Sequence, residues 1–231
     1  MKRLILLITA IATAGIIGLS WTRTAVSASP MSQSGVAVPP VNVRILHTWK
    51  LSQGGRVHAY QDESLGTIVA PDLLLTHNHY SRPQLTWVEE TYFFEDVWGR
   101  SVQWWPRSLQ LTALNSGTML IHLPAGAFPD QAKVADRTSV ARLHVGSWLT
   151  ISYWDDAADR IAQRDFQITQ IQGGVVKLAD PNKVINHGDS GGGAFWQGQL
   201  IGNIWSIDVD RSGTSLGRFN IALIPARISL P

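Results

Sequence analysis

Near the C-terminal end the chain reads His187-Gly188-Asp189-Ser190-Gly191-Gly192-Gly193, followed by an apolar run, Ala194-Phe195 and then Leu200-Ile201, that reads as strand. A serine between glycines is how a backbone presents a hydroxyl on a tight, exposed turn, because positive φ and close backbone approach are cheap without a Cβ. Such a hydroxyl is suited to be a nucleophile, and the N–H groups of Gly188 and Ser190 are placed to hold an oxyanion. A nucleophilic serine needs a base. Upstream, Leu73-Leu74-Leu75-Thr76 reads as a strand that delivers His77 and His79, and Gly66-Thr67-Ile68-Val69-Ala70-Pro71-Asp72 before it reads as strand and turn.

Together these two stretches resemble the chymotrypsin-like (trypsin-fold) serine protease family. Its Gly-x-h-h-x-x-x-h-h-h-Thr-x-x-His pattern carries the general base and its Gly-Asp-Ser-Gly-Gly carries the nucleophile. The resemblance spans roughly residues 41 to 229 and puts the base at His79, the third residue after the threonine, rather than at His77. It implies a hydrolase that cleaves polypeptides through an acyl-enzyme, with Ser190 and His79 catalytic and Gly188 and Ser190 lining the oxyanion hole. The histidine precedes the serine, which disfavours an esterase of the type that places its histidine last.

The third member of the triad is missing. Counting along Thr118-Met119-Leu120-Ile121-His122-Leu123, the family's aspartate falls on Gly117. Three readings stand open: a carboxylate from another loop, of which Asp96, Glu95, Glu90 and Glu89 follow the histidine most closely; Asn115 or Ser116 accepting the histidine N–H in a slow dyad; or a fold that has lost proteolysis and kept binding. The plainer reading of Glu95-Asp96 is a solvated hairpin tip. Asp189 is read as bonding locally, and His77 as a partly buried structural residue. The resemblance also sets a specificity pocket with Val184 at its floor and Ser206, Ile207 and Gly217 on its walls, which would take an apolar or aromatic side chain before the scissile bond. Gly193 stands where the family often has proline.

These residues need a scaffold, and the chain offers many short β-branched or aromatic runs between turn signals: 43–51, 56–61, 65–70, 72–76, 85–94, 101–105, 109–113 and 118–123, then 140–145, 147–154, 164–171, 174–178, 193–197, 199–207 and 217–224. That spacing predicts an all-β protein, and the resemblance makes it two six-stranded antiparallel barrels with the site in the cleft between them. The first covers about 41–125 and the second about 139–229, joined by 126–138; the only helical signal is a short turn near 155–163. Ten tryptophans are read mainly as packing residues.

With 231 residues, 45% apolar and 16% charged, the chain is long enough for one large core or two small ones. A formal charge of +2 with scattered basic residues excludes a nucleic-acid footprint. His187, Asp155, Asp156 and Asp159 lack ligand spacing, so no metal and no cofactor is assigned. There is no cysteine, so stability comes without disulfides. Lys2-Arg3, the apolar run from Leu4 to Leu19 and the small residues ending at Ala28 make residues 1–28 a signal peptide, or a membrane anchor if uncleaved. Residues 29–40 read as a flexible leader and 41–231 as the protease domain. The chain is therefore expected to be secreted or extracytoplasmic, in a bacterial setting.

Overall fold

A computed structural model describes residues 37–80, 87–104 and 110–225. Residues 1–28, expected to be a signal peptide or anchor, and most of the leader fall outside the described residues. The first half is one antiparallel sheet of seven strands in the order β5-β4-β1-β2-β3-β7-β6. These are β1 (Asn42–Gln53), β2 (Arg56–Ala70), β3 (Leu73–Thr76), β4 (Trp87–Asp96), β5 (Ser101–Trp104), β6 (Gln110–Ala113) and β7 (Met119–His122). The second half is a closed six-stranded barrel in the order β10-β13-β12-β11-β8-β9. Its strands are β8 (Trp148–Asp155), β9 (Arg160–Gln172), β10 (Val175–Ala179), β11 (Gly193–Trp196), β12 (Gln199–Val209) and β13 (Ser215–Leu223). The expected two-barrel, all-β architecture is present, with seven strands rather than six in the first half.

Three local readings change. The runs 56–61 and 65–70 form one fifteen-residue strand, β2, whose first part is exposed and whose second part is buried on both faces. Continuous burial over 65–70 has a cause: Ile68 faces the first half's own core, while Val69 and Ala70 face the second half. The run 140–145 is not a strand. Asp136 accepts a hydrogen bond from the Ser139 N–H and caps a short helix, α1 (Arg137–Ala141), which takes the start of that run. The helical signal near 155–163 is instead the turn between β8 and β9, closed by the Asp155–Arg160 pair.

Each half has its own core, around Phe94, Ile121 and Phe128 in the first and Leu149, Phe195's neighbour Ala194, Phe219 and Ile221 in the second. A third cluster lies between them: Val41, Val69, Leu73, Leu75 and Leu120 meet Phe195, Leu200 and Ile224. Burying one such side chain contributes about 1.5–3 kcal/mol, so this shared cluster holds the halves in fixed register. The connecting segment is woven into both: Ala132 N–H donates to the Ile68 carbonyl at 2.7 Å and Ala135 N–H to the Leu200 carbonyl at 2.8 Å.

Candidate active site

The serine sits just before β11 on two successive tight turns. Asp189 N–H donates to the Asn186 carbonyl (3.2 Å), closing a turn whose third residue, Gly188, has φ of 99°. Positive φ there is the mark of a type II turn. In the next turn Gly192 N–H donates to the Asp189 carbonyl at 3.0 Å. Gly191 has φ of 89°, and a Cβ on it would stand 1.9 Å from the Leu65 carbonyl oxygen and 2.3 Å from Thr76 Oγ1. Only glycine fits, because both chains must pass at backbone contact.

These turns leave the Gly188 and Ser190 N–H groups without a hydrogen-bond partner among the described residues. Asp189 bonds locally, as expected, and also to β8: it is 2% exposed, its Oδ2 accepts from Asn186 N–H (2.7 Å) and its Oδ1 from Trp154 N–H (2.6 Å). Burial pushes its carboxyl up to about 7 against the pull of those two donors.

The histidine is brought to the same place by β2 and β3. Leu65 N–H donates to the Ser190 carbonyl (2.8 Å), and the Leu65 carbonyl accepts from Thr76 Oγ1 (2.6 Å). One residue of β2 therefore ties the Ser190 turn to the last residue of β3, three before His79. His79 lies exposed on a single 3-10 turn, Asn78–Tyr80, with its own N–H donated to His77 Nδ1 at 3.0 Å. His77 is 1% exposed, and its ring meets the His79 ring edge to face with centroids 4.1 Å apart. Burial lowers the His79 pKa and Asp62 partly offsets this; His77 is lowered well below its ordinary value, first by burial and then by His79. No hydrogen bond joins the His79 and Ser190 side chains among the described residues.

Where an acid would stand, the space is filled. Thr76 pairs with Met119 across β3 and β7, so the loop just before Met119 is the one that faces the histidine turn. That loop's Gly117 is packed so closely that a Cβ would lie 2.7 Å from Ala222 Cβ and 2.9 Å from Trp205 Cγ. Asn203 locks it further, donating from Nδ2 to the Gly117 carbonyl (3.1 Å) and accepting at Oδ1 from Thr118 Oγ1 (2.8 Å).

Two of the expected substitutes, Asn115 and Asp96, are engaged elsewhere, whereas Ser116 lies against the histidine turn through its carbonyl. Asn115 Oδ1 accepts from Gly117 N–H (2.8 Å) and its Nδ2 donates to the Leu223 carbonyl (3.0 Å), while the Ser116 carbonyl accepts from Asn78 Nδ2. Asp96 is no solvated tip: it is 5% exposed, its Oδ1 accepts from the N–H groups of Trp98 and Arg100 (both 2.9 Å), and its Oδ2 pairs with Arg100 Nε. It ends β4, three strands or about 14 Å from β3, and closes its own hairpin. The carboxylate that does act on His79, Asp62, was hidden in sequence because the run around it ends at 61; as part of the long β2 it reaches the site's rim.

An open groove of about 250 Å³ runs along that rim, lined by Arg44, Asp62, Glu63, Trp154, His187 and Gly188 among others. Arg44 pairs with Glu63 at 2.7 Å and lies over the Trp154 ring, 4.1 Å from its centroid. The four residues expected to form a specificity pocket lie in the second barrel, on β12, on β13 and in the loop before Ile185. Val184 and Ile207 pack against that barrel's core, Ser206 Oγ accepts from Asn220 Nδ2 (3.1 Å), and the Gly217 carbonyl accepts from Asp180 N–H (2.8 Å). The sequence reading left Asp180 out, yet it is 2% exposed beside Gly217, with Oδ2 accepting from Ile185 N–H at 2.9 Å. Among the described residues no cluster of three metal-ligating side chains forms.

The fold is the two-barrel fold of the chymotrypsin-like serine proteases. Solved structures place the likeness. A scabies mite inactivated protease paralogue, S-I1, superposes with a TM-score of 0.57 at 14% identity, over 81% of this chain and 90% of its own. HL collagenase gives 0.58 at 13% over 80% and 88%, and a second inactivated scabies mite paralogue, S-D1, gives 0.56 at 11% over 80% and 87%. No protein-family model matches the chain, and no curated protein sequence does.

Proposed function

We propose that the protein is an exported serine peptidase that works through a Ser190–His79 dyad without a triad acid. The observation that carries this reading is the type II turn at Gly188, which leaves two backbone N–H groups beside Ser190 unbonded and available to a developing oxyanion. Ser190 Oγ adds to the peptide carbonyl as His79 takes its proton; the tetrahedral oxyanion rests on the Gly188 and Ser190 amides; collapse breaks the C–N bond and His79 returns the proton to the departing amine. Water then adds to the acyl-enzyme by the reverse roles. Neutral His79 is the working form, so its lowered pKa keeps it a base toward mildly acidic pH.

A second reading, a binding module on the same fold, is favoured by the closed space at Gly117. A fluorophosphonate probe separates the two, since it phosphonylates only an activated serine. The purified protein is expected to label slowly, with no labelling after Ser190→Ala and a large loss after His79→Ala; a folded protein that does not label is the binding module. Export rests on residues 1–28, and N-terminal sequencing of the extracellular protein is expected to begin at Ser29. A start at Met1 on membrane-bound protein would make that segment an anchor.

The pH dependence of labelling follows from two groups. An ionised Asp189 accepts both of its N–H partners, whereas a protonated one has lost an acceptor and loosens the turn that carries Gly188. His79 must also be neutral. Labelling is therefore expected to rise with pH and level off once Asp189, pushed up to about 7, is ionised. The same group affects stability in the opposite sense: between its ordinary 3.8 and about 7 the unfolded chain is ionised while the folded carboxyl keeps its proton, so its contribution falls as pH rises. Labelling rates measured from about pH 5 to 9, beside circular dichroism at each pH, check this; a plateau already present at the acid end would remove Asp189 from the account.

A further inference from the structure

We infer that His77 is the positioning residue for His79, holding the base in the orientation that a triad acid would otherwise impose. The inference rests on the dyad reading. Two independent contacts carry it. His77 Nδ1 accepts the backbone N–H of His79 at 3.0 Å, which fixes the turn on which the base is mounted. The two rings then meet edge to face, 4.1 Å between centroids at 62°, which fixes the imidazole on that turn.

His77 can do this because it is itself immobile. It is 1% exposed and follows Thr76, whose hydroxyl is bonded to the Leu65 carbonyl at 2.6 Å, so its backbone is anchored to the same residue that holds Ser190. An Nδ1 that accepts a hydrogen bond requires the neutral ring to carry its proton on Nε2, so one tautomer is selected. Burial keeps the ring neutral over the working range. Asp62 from β2 acts electrically on His79, and His79 in turn acts on His77. Of Asp62 and His77, only His77 touches His79; Asp62 is exposed, and its Oδ1 accepts from the Glu63 N–H at 2.9 Å.

A neutral neighbour orients the imidazole but cannot stabilise an imidazolium as a carboxylate does. His77 therefore takes over one of the acid's two tasks. That division predicts a base that is well placed and weakly driven.

The test titrates His79 by nitrogen-15 NMR in full-length Ser190→Ala protein, where no turnover interferes, and compares His77→Leu, His77→Phe and His77→Asn. Phe keeps a ring edge and loses the acceptor; Asn keeps an acceptor and loses the ring; Leu loses both. In the His77 protein, His79 is expected to titrate below 6.5 as one dominant tautomer. His77→Leu is expected to mix the His79 tautomers while leaving its midpoint below the ordinary value, because burial and not His77 lowers it, with Phe and Asn each showing part of the mixing. In Ser190 protein the same order should appear in probe labelling, with a loss of about 10- to 100-fold for Leu, the range that a displaced catalytic group produces.

An unchanged tautomer in a folded Leu variant overturns the inference; if Leu does not fold, an unchanged tautomer in both Phe and Asn does so. Absence of labelling in the parent protein would sink the dyad reading alone, because the NMR titration reads His77 without turnover.

Discussion

An aspartate placed alone at position 117 is expected not to speed the reaction of Ser190 with the probe. The new Cβ would stand 2.7 Å from Ala222 Cβ and 2.9 Å from Trp205 Cγ, distances at which something must move. Neither neighbour is the loose end of a flexible chain, since Ala222 lies on β13 paired with Asn203 and Val175, and Trp205 is held at its ring's first atom. Overpacking of this kind costs about 1–3 kcal/mol, and a carboxylate pressed against an indole adds its desolvation. Gly117→Asp alone is therefore expected to lower the melting temperature with no gain in labelling.

Combining it with Trp205→Ser and Ala222→Gly removes both obstacles and opens the space beside the histidine turn. In the chymotrypsin-type triad, replacing the acid by its amide lowers turnover by about 10⁴, so the triple variant is expected to label faster than the parent by about 10²- to 10⁴-fold. The comparison that decides is labelling of the parent, the single and the triple variant at one pH, each with a Ser190→Ala control. If the single substitution accelerates labelling as much as the triple, Trp205 is not what excludes the acid.

The same residues explain what could be read from the chain and what could not. The glycine turn around Ser190 was legible because its glycines answer to a constraint that sequence expresses directly: Gly191 has no room for a Cβ against the Leu65 carbonyl, and Thr76 is spent on that same carbonyl. Gly193 carries a comparable message, since a Cβ there would stand 2.6 Å from Thr67 Oγ1, although its place in the motif said nothing of it. The barrels were legible because strands alternate with turn signals along the chain.

The closed acid site was not legible. It is made by Gly117 from one half meeting Trp205 and Ala222 from the other, and no local pattern records which side chain will fill a space between two sheets. Asp62 was lost for another reason: its strand runs unbroken from Arg56 to Ala70, where apolar periodicity suggested a break, because the exposed end has no core to face. His77 was read beside His79 as a partly buried structural residue, and it is buried, but its bond to the His79 N–H belongs to the folded turn.

Gly188→Ala is expected to separate catalysis from folding. A Cβ at Gly188 would meet nothing closer than the Glu63 carbonyl at 3.9 Å, so the substitution fits in space. Its difficulty is conformational, for φ of 99° is a region that L residues adopt at a cost of about 1–2 kcal/mol. The turn can escape that cost by becoming type I, with negative φ at its third residue, which turns the peptide between His187 and Gly188 over and takes the N–H away from the oxyanion. The Asp189 anchors at Trp154 and Asn186 lie outside that peptide and can persist.

Loss of one oxyanion donor lowers turnover by about 10²–10³, and labelling is expected to fall by that factor while the melting temperature moves by only a few degrees. Gly191→Ala supplies the contrast: with a backbone oxygen 1.9 Å from its Cβ, it is expected not to fold. A Gly188→Ala protein that labels at the parent's rate would mean that this N–H is not used, and the dyad would then have to act without the one feature of the site that is fully formed.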